Sequence, residues 1–450
     1  MQALSEKQVE DHAAELVIKD TGEFQALAIA PAPCRSAATA LRPYTGLDGT
    51  HTKSRFRMML LIATGIDANG QILILAWALV PSENTKWWTW FCKFLYEWFP
   101  SLQSENHVFV SDREKGIFEG LNTAFPNSYQ AMCCQHLADN VQLRYGIIAR
   151  GQFWKMARAR TEPCYKAALN ELQALSPTAV EYLSTIDVKR WARYAFPYPR
   201  YGHDTSNISE SLNSVLRPIR LLPPIHMIDA IWTYIMETRH ERRHRPQRGV
   251  LANTPLSHFE ERVKASARYR VYASGNGIYQ VRVPRGLKYV VNLDPEAATC
   301  ECTQLGEYQN PCKHAIIACM HANEDPLLYF AEEYTTETYR ATYAEPLYPL
   351  SIEGLTPDLN VKPPILVKQR GRPKTKRIRK GQYARKKRRC GNCGQLATHN
   401  SRSCRAQPAD IEGEEPESVE TNLDVLQYRR QRMRTRRRDE QFDREMEELD

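Results

Sequence analysis

The sequence of 450 residues contains no hydrophobic run long enough to cross a bilayer. Its apolar runs MMLLIATGI and ILILAWALV are nine residues each, whereas a membrane helix needs about 20. Runs of this length that are followed by turn residues are typical of buried strands. The N-terminus also lacks the basic-then-apolar pattern of a signal peptide, so we do not expect export.

Cysteine is scarce, at twelve residues, and unevenly placed. Six of the twelve fall in two short clusters, CECTQLGEYQNPCKH and CGNCGQLATHNSRSC, with the paired spacing of metal ligands. Without a signal peptide, this spacing predicts zinc sites in a reducing compartment rather than disulfides.

Acidic residues are absent from Lys368 to Arg389, a segment that holds thirteen Lys or Arg. Subtracting these thirteen charges from the net charge of +9 leaves −4 for the rest of the chain. The basic character therefore belongs to one segment rather than to the folded domains. Such a block is typical of a solvated linker that contacts phosphates or import receptors.

Alternating and continuous apolar patterns predict an α/β fold. The predicted strands are YTGLDGT, FRMMLLIATGID, QILILAWALV, HVFVSD and SYQAMCCQH, with DANG at 67–70 as a hairpin turn. A tryptophan-rich helix, capped by Ser82 or Asn84, precedes the fourth strand, and a second helix follows it from about 114 to 124. Residues from about 140 to 205 have a helical pattern. We therefore expect a mixed five-stranded sheet with helices, interrupted by an all-α insertion and followed by small zinc modules.

Two acids stand at the ends of predicted strands: Asp48 in GLDGTHTKS and Asp112 in VFVSDREKG. The order of strands and helices around them is that of a ribonuclease-H-like domain. In that fold, carboxylates hold two Mg²⁺ ions about 3.5–4 Å apart, which activate a water or a 3′-hydroxyl for attack on a phosphodiester. The alternative for either acid alone is a turn residue, since Asp before Gly is a frequent turn signal.

Four spaced motifs carry a family resemblance: LRPYTGLDGTHTKS, SDREKG, CCQHLADN and SNISESLNSVLRPI. They occur in the order seen in Mutator-like (MULE) transposases, and the resemblance covers about residues 24–245. It implies a DDE transposase in which Asp48, Asp112 and Glu210 are the catalytic acids. Glu210 has an alternative role, because NISE is also a capping box with Asn207 as N-cap and Glu210 at the third helical position.

Two further features of the same region have a functional and a structural interpretation. Cys133 and His136 match a C-x2-H motif of the family and are candidates for active-site support, or else a buried thiol and a core histidine. Trp191 and Trp154 are candidates for stacking on a base flipped out at the element end, as in related enzymes with helical insertions. The alternative for both tryptophans is core packing.

The first cysteine cluster supplies four ligands: Cys300, Cys302, Cys312 and His314. Four soft or borderline ligands satisfy tetrahedral Zn²⁺ and leave no open position, which predicts a structural rather than a catalytic site. The C-x-C-x9-C-x-H pattern resembles the SWIM finger that follows the transposase core in this family. Cys319, one turn beyond His314, is predicted to be a core residue.

The second cluster supplies Cys390, Cys393, His399 and Cys404 and resembles a CCHC zinc knuckle, with one extra residue before its histidine. Such knuckles bind single-stranded nucleic acid. Upstream, RGRPKTKR resembles an AT-hook, whose residues Arg370, Arg372 and Lys374 would enter an A·T-rich minor groove. The same basic block predicts nuclear localisation, and its alternative is a solvated linker.

The expected organisation is a partly ordered segment (1–40), a transposase domain (41–245) with its insertion (about 140–205), a SWIM finger (268–325), a Pro-rich then basic linker (355–389), a knuckle (390–404) and a charged tail (405–450). We expect a nuclear enzyme with catalytic Mg²⁺ or Mn²⁺ and two structural zinc ions. Its partners would be DNA, both element ends and target, and further copies of itself, with no membrane.

One alternative is a domesticated, transposase-derived DNA-binding regulator without catalysis. It is favoured by the N-terminal region, where Cys34 alone precedes Asp48, while family members often carry a zinc domain there. Another alternative, a nuclease or RNA-processing enzyme of the ribonuclease-H class, fits the acids but not the zinc clusters.

Overall fold

The computed structural model describes residues 12–54, 56–204, 212, 214–284, 286–294, 297–350, 358, 360–363, 388–389 and 396–397. The chain forms two compact units, residues 1–366 and 367–450. No helix in the described part of the chain has both the length and the apolar character that a membrane span requires.

The first unit is built on a seven-stranded mixed sheet with the order β1-β2-β5-β4-β3-β6-β7. Its strands are β1 (Ala13–Ile18), β2 (Phe24–Ala30), β3 (Tyr44–His51), β4 (Met59–Ile66), β5 (Ile72–Val80), β6 (Val108–Ser111) and β7 (Tyr129–Met132). The pairs β3–β6 and β6–β7 are parallel, and the other pairs are antiparallel. Parallel strands end at one edge of the sheet, so the ends of β3, β6 and β7 lie together.

The prediction of five strands is wrong by two, because β1 and β2 extend the sheet beyond β5. The five predicted strands are all present as β3 to β7. β2 contributes small residues to the core: Ala26, Ala28 and Ala30 are fully buried on one face. Alanine contributes little to hydrophobic periodicity, which is why the sequence pattern of this region is weak.

Both faces of the sheet are covered, as the continuous burial of β4 indicates. The helices of the sheet region are α1 (Ala32–Ala37), α2 (Thr85–Trp98), α3 (Lys115–Ala124) and α8 (Pro224–Arg243). Alternate residues of β4 enter different cores: Leu61 packs in the core that includes helices α2 and α3, and Leu60 packs in the core that includes α8. Asn84 is the N-cap of α2 and accepts a hydrogen bond from the Trp87 amide at 3.1 Å.

Helices α2 and α3 pack closely because α3 carries two glycines on the contact face. A Cβ on Gly116 would lie 2.9 Å from the backbone of Asn84, and one on Gly120 would lie 2.9 Å from the backbone of Trp88. Contacts this short to backbone atoms admit no side chain. The packing fixes the start of α3, which begins three residues after Asp112.

After β7 the chain forms a helical subdomain with its own core. Its helices are α4 (Cys134–Tyr145), α5 (Ile147–Ala157), α6 (Glu162–Leu175) and α7 (Pro177–Ser184). The core contains Leu137, Phe153, Leu172 and Trp191. The helical pattern predicted for this region is therefore present in the structure.

A small antiparallel sheet with the order β11-β10-β9-β8 follows helix α9 (Asn253–Ser266). Its strands are β8 (Arg270–Gly275), β9 (Ile278–Arg282), β10 (Lys288–Asn292) and β11 (Thr299–Cys300). Helices α10 (Gln304–Tyr308), α11 (Lys313–Ala322) and α12 (Thr336–Thr342) follow this sheet in the first unit. In the second unit, the described residues form two short antiparallel strands, β12 (Arg388–Arg389) and β13 (Leu396–Ala397).

Candidate active site and metal centre

The strand register brings the two predicted acids together. β3 and β6 are parallel and pair Tyr44 with Val108 and Gly46 with Val110. Continuing this register by two residues places Asp48 beside Asp112, on strands about 4.8 Å apart. Asp48 lies within β3 rather than at its end, because β3 continues to pair with β4 as far as His51. Asp112 directly follows β6, as predicted.

The Asp112 side chain also forms a turn just before helix α3. Its Oδ1 accepts a hydrogen bond from the Glu114 amide at 3.0 Å, and α3 begins one residue later. Asp112 is therefore a turn residue, as the alternative interpretation predicts. The second carboxylate oxygen is not used by this turn, so the turn role is compatible with ligand binding.

Glu83, which the sequence analysis did not identify, lies at the same edge of the sheet. Val80 ends β5 opposite Met59, and Met59 pairs with His51 at the end of β3. Glu83 follows β5 by three residues, and its Oε1 would lie 2.4 Å from a Cβ on Gly49. The same Oε1 accepts a hydrogen bond from Trp88 Nε1 at 3.3 Å. The carboxyl group therefore lies against β3, next to Asp48.

The acids at this edge interact electrostatically. Burial, followed by the carboxylates of Asp112, Glu114 and Asp48, raises the pKa of Glu83 to about 7, against an opposing hydrogen bond from Trp88. A pKa raised by neighbouring carboxylates marks a region of concentrated negative charge. Such carboxylate oxygens are the ligands that hard divalent cations prefer.

Cys133 and His136 lie beside the acids. β7 is parallel to β6 and pairs Met132 with Ser111, so Cys133 leaves the sheet at the same edge. A hydrogen bond with the Cys133 thiol raises the pKa of His136 to about 9, with burial opposing and Asp112 and Asp48 contributing. His136 is half-buried on the first turns of α4, where it is cationic at neutral pH and faces the carboxylates.

Residues after the third predicted acid also reach the end of β3. Arg220 donates hydrogen bonds to Thr50 Oγ1 and to the His51 carbonyl, the latter at 3.4 Å, and its own carbonyl accepts from the Lys53 amide at 2.8 Å. Leu212 and Leu216 are buried in the core that includes β4. Glu210 and Asn207 themselves lie outside the described residues.

The two candidate stacking tryptophans have different environments. Trp191 is 1% exposed and stacks on Phe153 with 5.3 Å between ring centroids, inside the core of the helical subdomain. The prediction that it stacks on a base is not compatible with this burial, and core packing accounts for it. Trp154 is half-buried, and the guanidinium of Arg158 lies 4.6 Å above its ring.

The four ligands of the first cysteine cluster converge. The ligand atoms of Cys300, Cys302, Cys312 and His314 all lie within 4.8 Å of one another, and all four residues are buried. His314 Nδ1 is 3.7 Å from the Sγ of Cys300 and 3.8 Å from that of Cys312. A tetrahedral zinc ion with bonds of about 2.3 Å to sulfur and 2.0–2.1 Å to nitrogen separates such atoms by about 3.5 Å. The residues therefore fit zinc.

Local hydrogen bonds and ring stacking fix the positions of these ligands and favour the metal-binding form of Cys312. Cys312 is the N-cap of α11, and its Sγ accepts a hydrogen bond from the Ala315 amide at 3.4 Å. Hydrogen bonds from the other two thiols, together with backbone amides, hold the pKa of Cys312 well below its usual range, which favours the thiolate that zinc binds. The His314 ring stacks on Tyr289 at 4.0 Å between centroids. Cys319 is buried in the same core, as predicted.

Several predicted residues lie outside the described residues. They are the second cysteine cluster and the AT-hook-like residues: Cys390, Cys393, His399, Cys404, Arg370, Arg372 and Lys374.

Family models match two segments of the chain. The model described as MULE transposase domain matches residues 44–140, from β3 to α4. The model described as SWIM zinc finger matches residues 289–323, from β10 to the residue after α11. No protein in the curated collection matches the chain significantly. The chain therefore carries a MULE transposase domain and, C-terminal to it, a SWIM zinc finger whose four ligands are arranged to bind zinc.

Proposed function

We propose that the chain is a Mutator-like transposase that cleaves DNA at element ends and joins those ends to target DNA in a Mg²⁺-dependent reaction. The observation that carries this proposal is the parallel register of β3 and β6, which puts Asp48 beside Asp112 inside the segment matched by the transposase model. In this proposal, both acids are metal ligands.

A ribonuclease-H-like core is the fold that we infer for this domain. In its favour is the order β5-β4-β3-β6-β7, in which an antiparallel hairpin flanks β3 on one side and two parallel strands flank it on the other. Asp48 lies on the central strand β3 of this arrangement, and Asp112 directly follows the adjacent strand β6. The helical subdomain after β7 then corresponds to the insertion that the family resemblance implies.

Glu210 is the third ligand in this proposal. Support comes from Leu212, which packs in the β4 core and is only two residues away, a distance of about 7 Å at full extension. Arg220 at Thr50 and His51 shows that the following segment also runs along the end of β3. The capping role of Glu210 remains the competing interpretation.

Bound ions would activate the attacking water or 3′-hydroxyl and neutralise charge on the scissile phosphodiester. The residues of the chain would hold these ions and orient the substrate. Asp48 and Asp112 would hold the ions from adjacent strands, so their spacing is set by the sheet. His136, cationic at neutral pH, offers an N–H donor to a substrate phosphate oxygen or to the carboxylates.

The other parts of the proposal concern how the protein binds nucleic acid and where in the cell it acts. A knuckle at Cys390, Cys393, His399 and Cys404 would hold a second structural zinc and contact single-stranded nucleic acid. The basic segment with Arg370, Arg372 and Lys374 would bind the minor groove and direct the protein to the nucleus. Assembly of several copies on paired element ends follows from the reaction class.

The test is cleavage and strand transfer by the purified full chain with Mg²⁺ or Mn²⁺ on DNA that carries the sequences flanking the gene. We expect nicking at the element ends, and loss of at least 100-fold in rate for Asp112→Asn, since the charge that holds the ion is removed. The matched control is Asp20→Asn, the same change on the exposed β1–β2 turn. If wild type and Asp112→Asn bind this DNA equally and neither cleaves it, the chain is a DNA-binding regulator and the enzymatic proposal fails.

A further inference from the structure

The zinc module contacts the transposase part of the chain through a helix that lies between its ligands. Helix α10 occupies the spacer between Cys302 and Cys312. The Glu307 carbonyl accepts a hydrogen bond from the Tyr201 amide at 3.1 Å. Gly202, at φ +78°, leaves room for the Tyr308 ring, because a Cβ there would lie 2.3 Å from that ring. The zinc loop, residues 300–314, thus packs against residues 201–202 through the spacer between Cys302 and Cys312.

Charged groups are buried at this contact. Asp204 is buried and forms ion pairs with Arg193 at 2.6 Å and with Arg200 at 3.0 Å. The Glu307 carboxyl faces the same two guanidinium groups from the zinc module, and its Oε1 is buried without a hydrogen-bond partner among the described residues. The Gly202 amide donates a hydrogen bond to this carboxyl group, but a buried carboxylate with one unpaired oxygen is still costly unless cations compensate it. The position of Glu307 therefore depends on Arg193 and Arg200.

The same segment holds the start of helix α4 at the candidate active site. The Asp204 carbonyl accepts a hydrogen bond from the amide of Cys134, the first residue of α4, at 2.9 Å. The His203 ring lies 5.3 Å from that of Tyr44, the first residue of β3. Residues 201–204 therefore touch the zinc module on one side and both a catalytic strand and α4 on the other.

We propose that Glu307 and Tyr308 of the zinc loop are positioning residues for the active site. Zinc closes the loop, the closed loop holds α10 against residues 201–204, and these residues hold the N-terminal turn of α4, on which His136 faces Asp112. The zinc finger is then a structural part of the transposase domain rather than a separate DNA-binding module. The link to catalysis rests on the function proposed above, whereas the link between zinc and α4 does not.

Loss of zinc removes the cross-link between β11 and the start of α11, so the spacer that includes α10 loses its fixed ends. The α10 contact is then weakened without any change in the acids, which stand on strands. Local opening of α4 should follow, since the amide of its first residue, Cys134, loses a fixed acceptor. A zinc finger that only binds DNA would have no such effect.

Hydrogen exchange measured by mass spectrometry on the full chain tests the proposal. With zinc bound, residues 133–145 should exchange slowly. In Glu307→Ala and in Tyr308→Ala, we expect exchange over the first turns of α4 to rise about 5- to 10-fold, the range of ordinary coupling energies. Chelation of zinc from the wild-type chain should raise it by at least as much. The control is Glu301→Ala, an exposed acid of the same loop whose Oε2 accepts from the Val290 amide.

A Co²⁺ spectrum of each variant reports whether the four-ligand site is intact. We expect it to be unchanged in Glu307→Ala and Tyr308→Ala, which separates loss of the contact from loss of the module. If either variant alters that spectrum, the chelation experiment on the wild-type chain decides alone. Faster exchange confined to residues 299–323 would overturn the proposal. No DNA or cleavage enters this experiment, so it can fail while the Asp112→Asn test succeeds, and the reverse.

Discussion

Single residues at the candidate active-site edge differ in how far their positions can be predicted from the sequence. That Asp48 and Asp112 lie at one edge of the sheet was predictable, because each belongs to a local motif at a predicted strand. Glu83 was not, because its closeness to Asp48 depends on β5 returning to the same edge and on the absence of a side chain at Gly49. Trp191 shows the opposite error: a tryptophan between basic residues fits a nucleic-acid contact, but tertiary packing buries it.

Glu83 should make folding stability depend on pH. Its pKa is raised from 4.5 to about 7 in the folded protein, so the folded state disfavours the ionised form. Below pH 4.5 the carboxyl is protonated in both states and has no effect. Above pH 7 it is ionised in both, and the folded state bears the full cost, so stability falls as pH rises between these values.

Glu83→Gln should therefore be more stable than wild type at pH 8, by about 1–2 kcal/mol after allowance for the water that reaches this half-buried group. The two proteins should be equally stable at pH 4. Urea unfolding at several pH values measures the difference, with Glu119→Gln on the exposed face of α3 as the control. A constant difference between pH 4 and pH 8 would contradict the raised pKa.

At the scale of elements, the sequence predicted β3 to β7, the helices α2 and α3 and the helical region after β7. It missed β1 and β2, since their buried face is built largely of alanine. The elements that position the acids are held by close helix packing: α3 begins three residues after Asp112 and lies against α2 through Gly116 and Gly120. Such contacts between elements have no periodic signature in a sequence, which is why the glycines did not stand out.

Gly120→Ala should destabilise the protein, because its Cβ would lie 2.9 Å from the Trp88 backbone and helix α2 cannot yield as a flexible side chain would. We expect a loss of about 1–3 kcal/mol, the usual cost of overpacking. Gly151→Ala is the matched control: it lies in α5 with nothing within 4 Å of the added Cβ. That change should stabilise by about 0.5–1 kcal/mol through helix propensity. Thermal unfolding of both variants gives the comparison, and equal effects would exclude close packing as the cause.

At the scale of the whole molecule, the zinc ligands and the acids proposed to bind Mg²⁺ differ in ligand atom. The carboxylates of Asp48 and Asp112 lie on or directly after strands of the large sheet, and the sulfur ligands lie in the zinc loop. The four zinc ligands were predictable because all of them fall within fifteen residues of the chain. The contact of α10 with residues 201–204 was not, because it joins segments about one hundred residues apart through a glycine and buried charges.

Zinc content gives the corresponding prediction. If Cys300–His314 and Cys390–Cys404 are both closed four-ligand sites, the purified chain should hold about two zinc ions, and Cys302→Ser and Cys393→Ser should each hold about one. Cys302→Ser should still bind Mn²⁺, with affinity within about threefold of wild type, because Asp48 and Asp112 are held by strand pairing rather than by the zinc loop. Elemental analysis and Mn²⁺ titration by electron paramagnetic resonance measure the two quantities. One zinc ion in the wild-type chain would refute the second zinc site, and loss of Mn²⁺ binding in Cys302→Ser would show that the acids themselves depend on the zinc module.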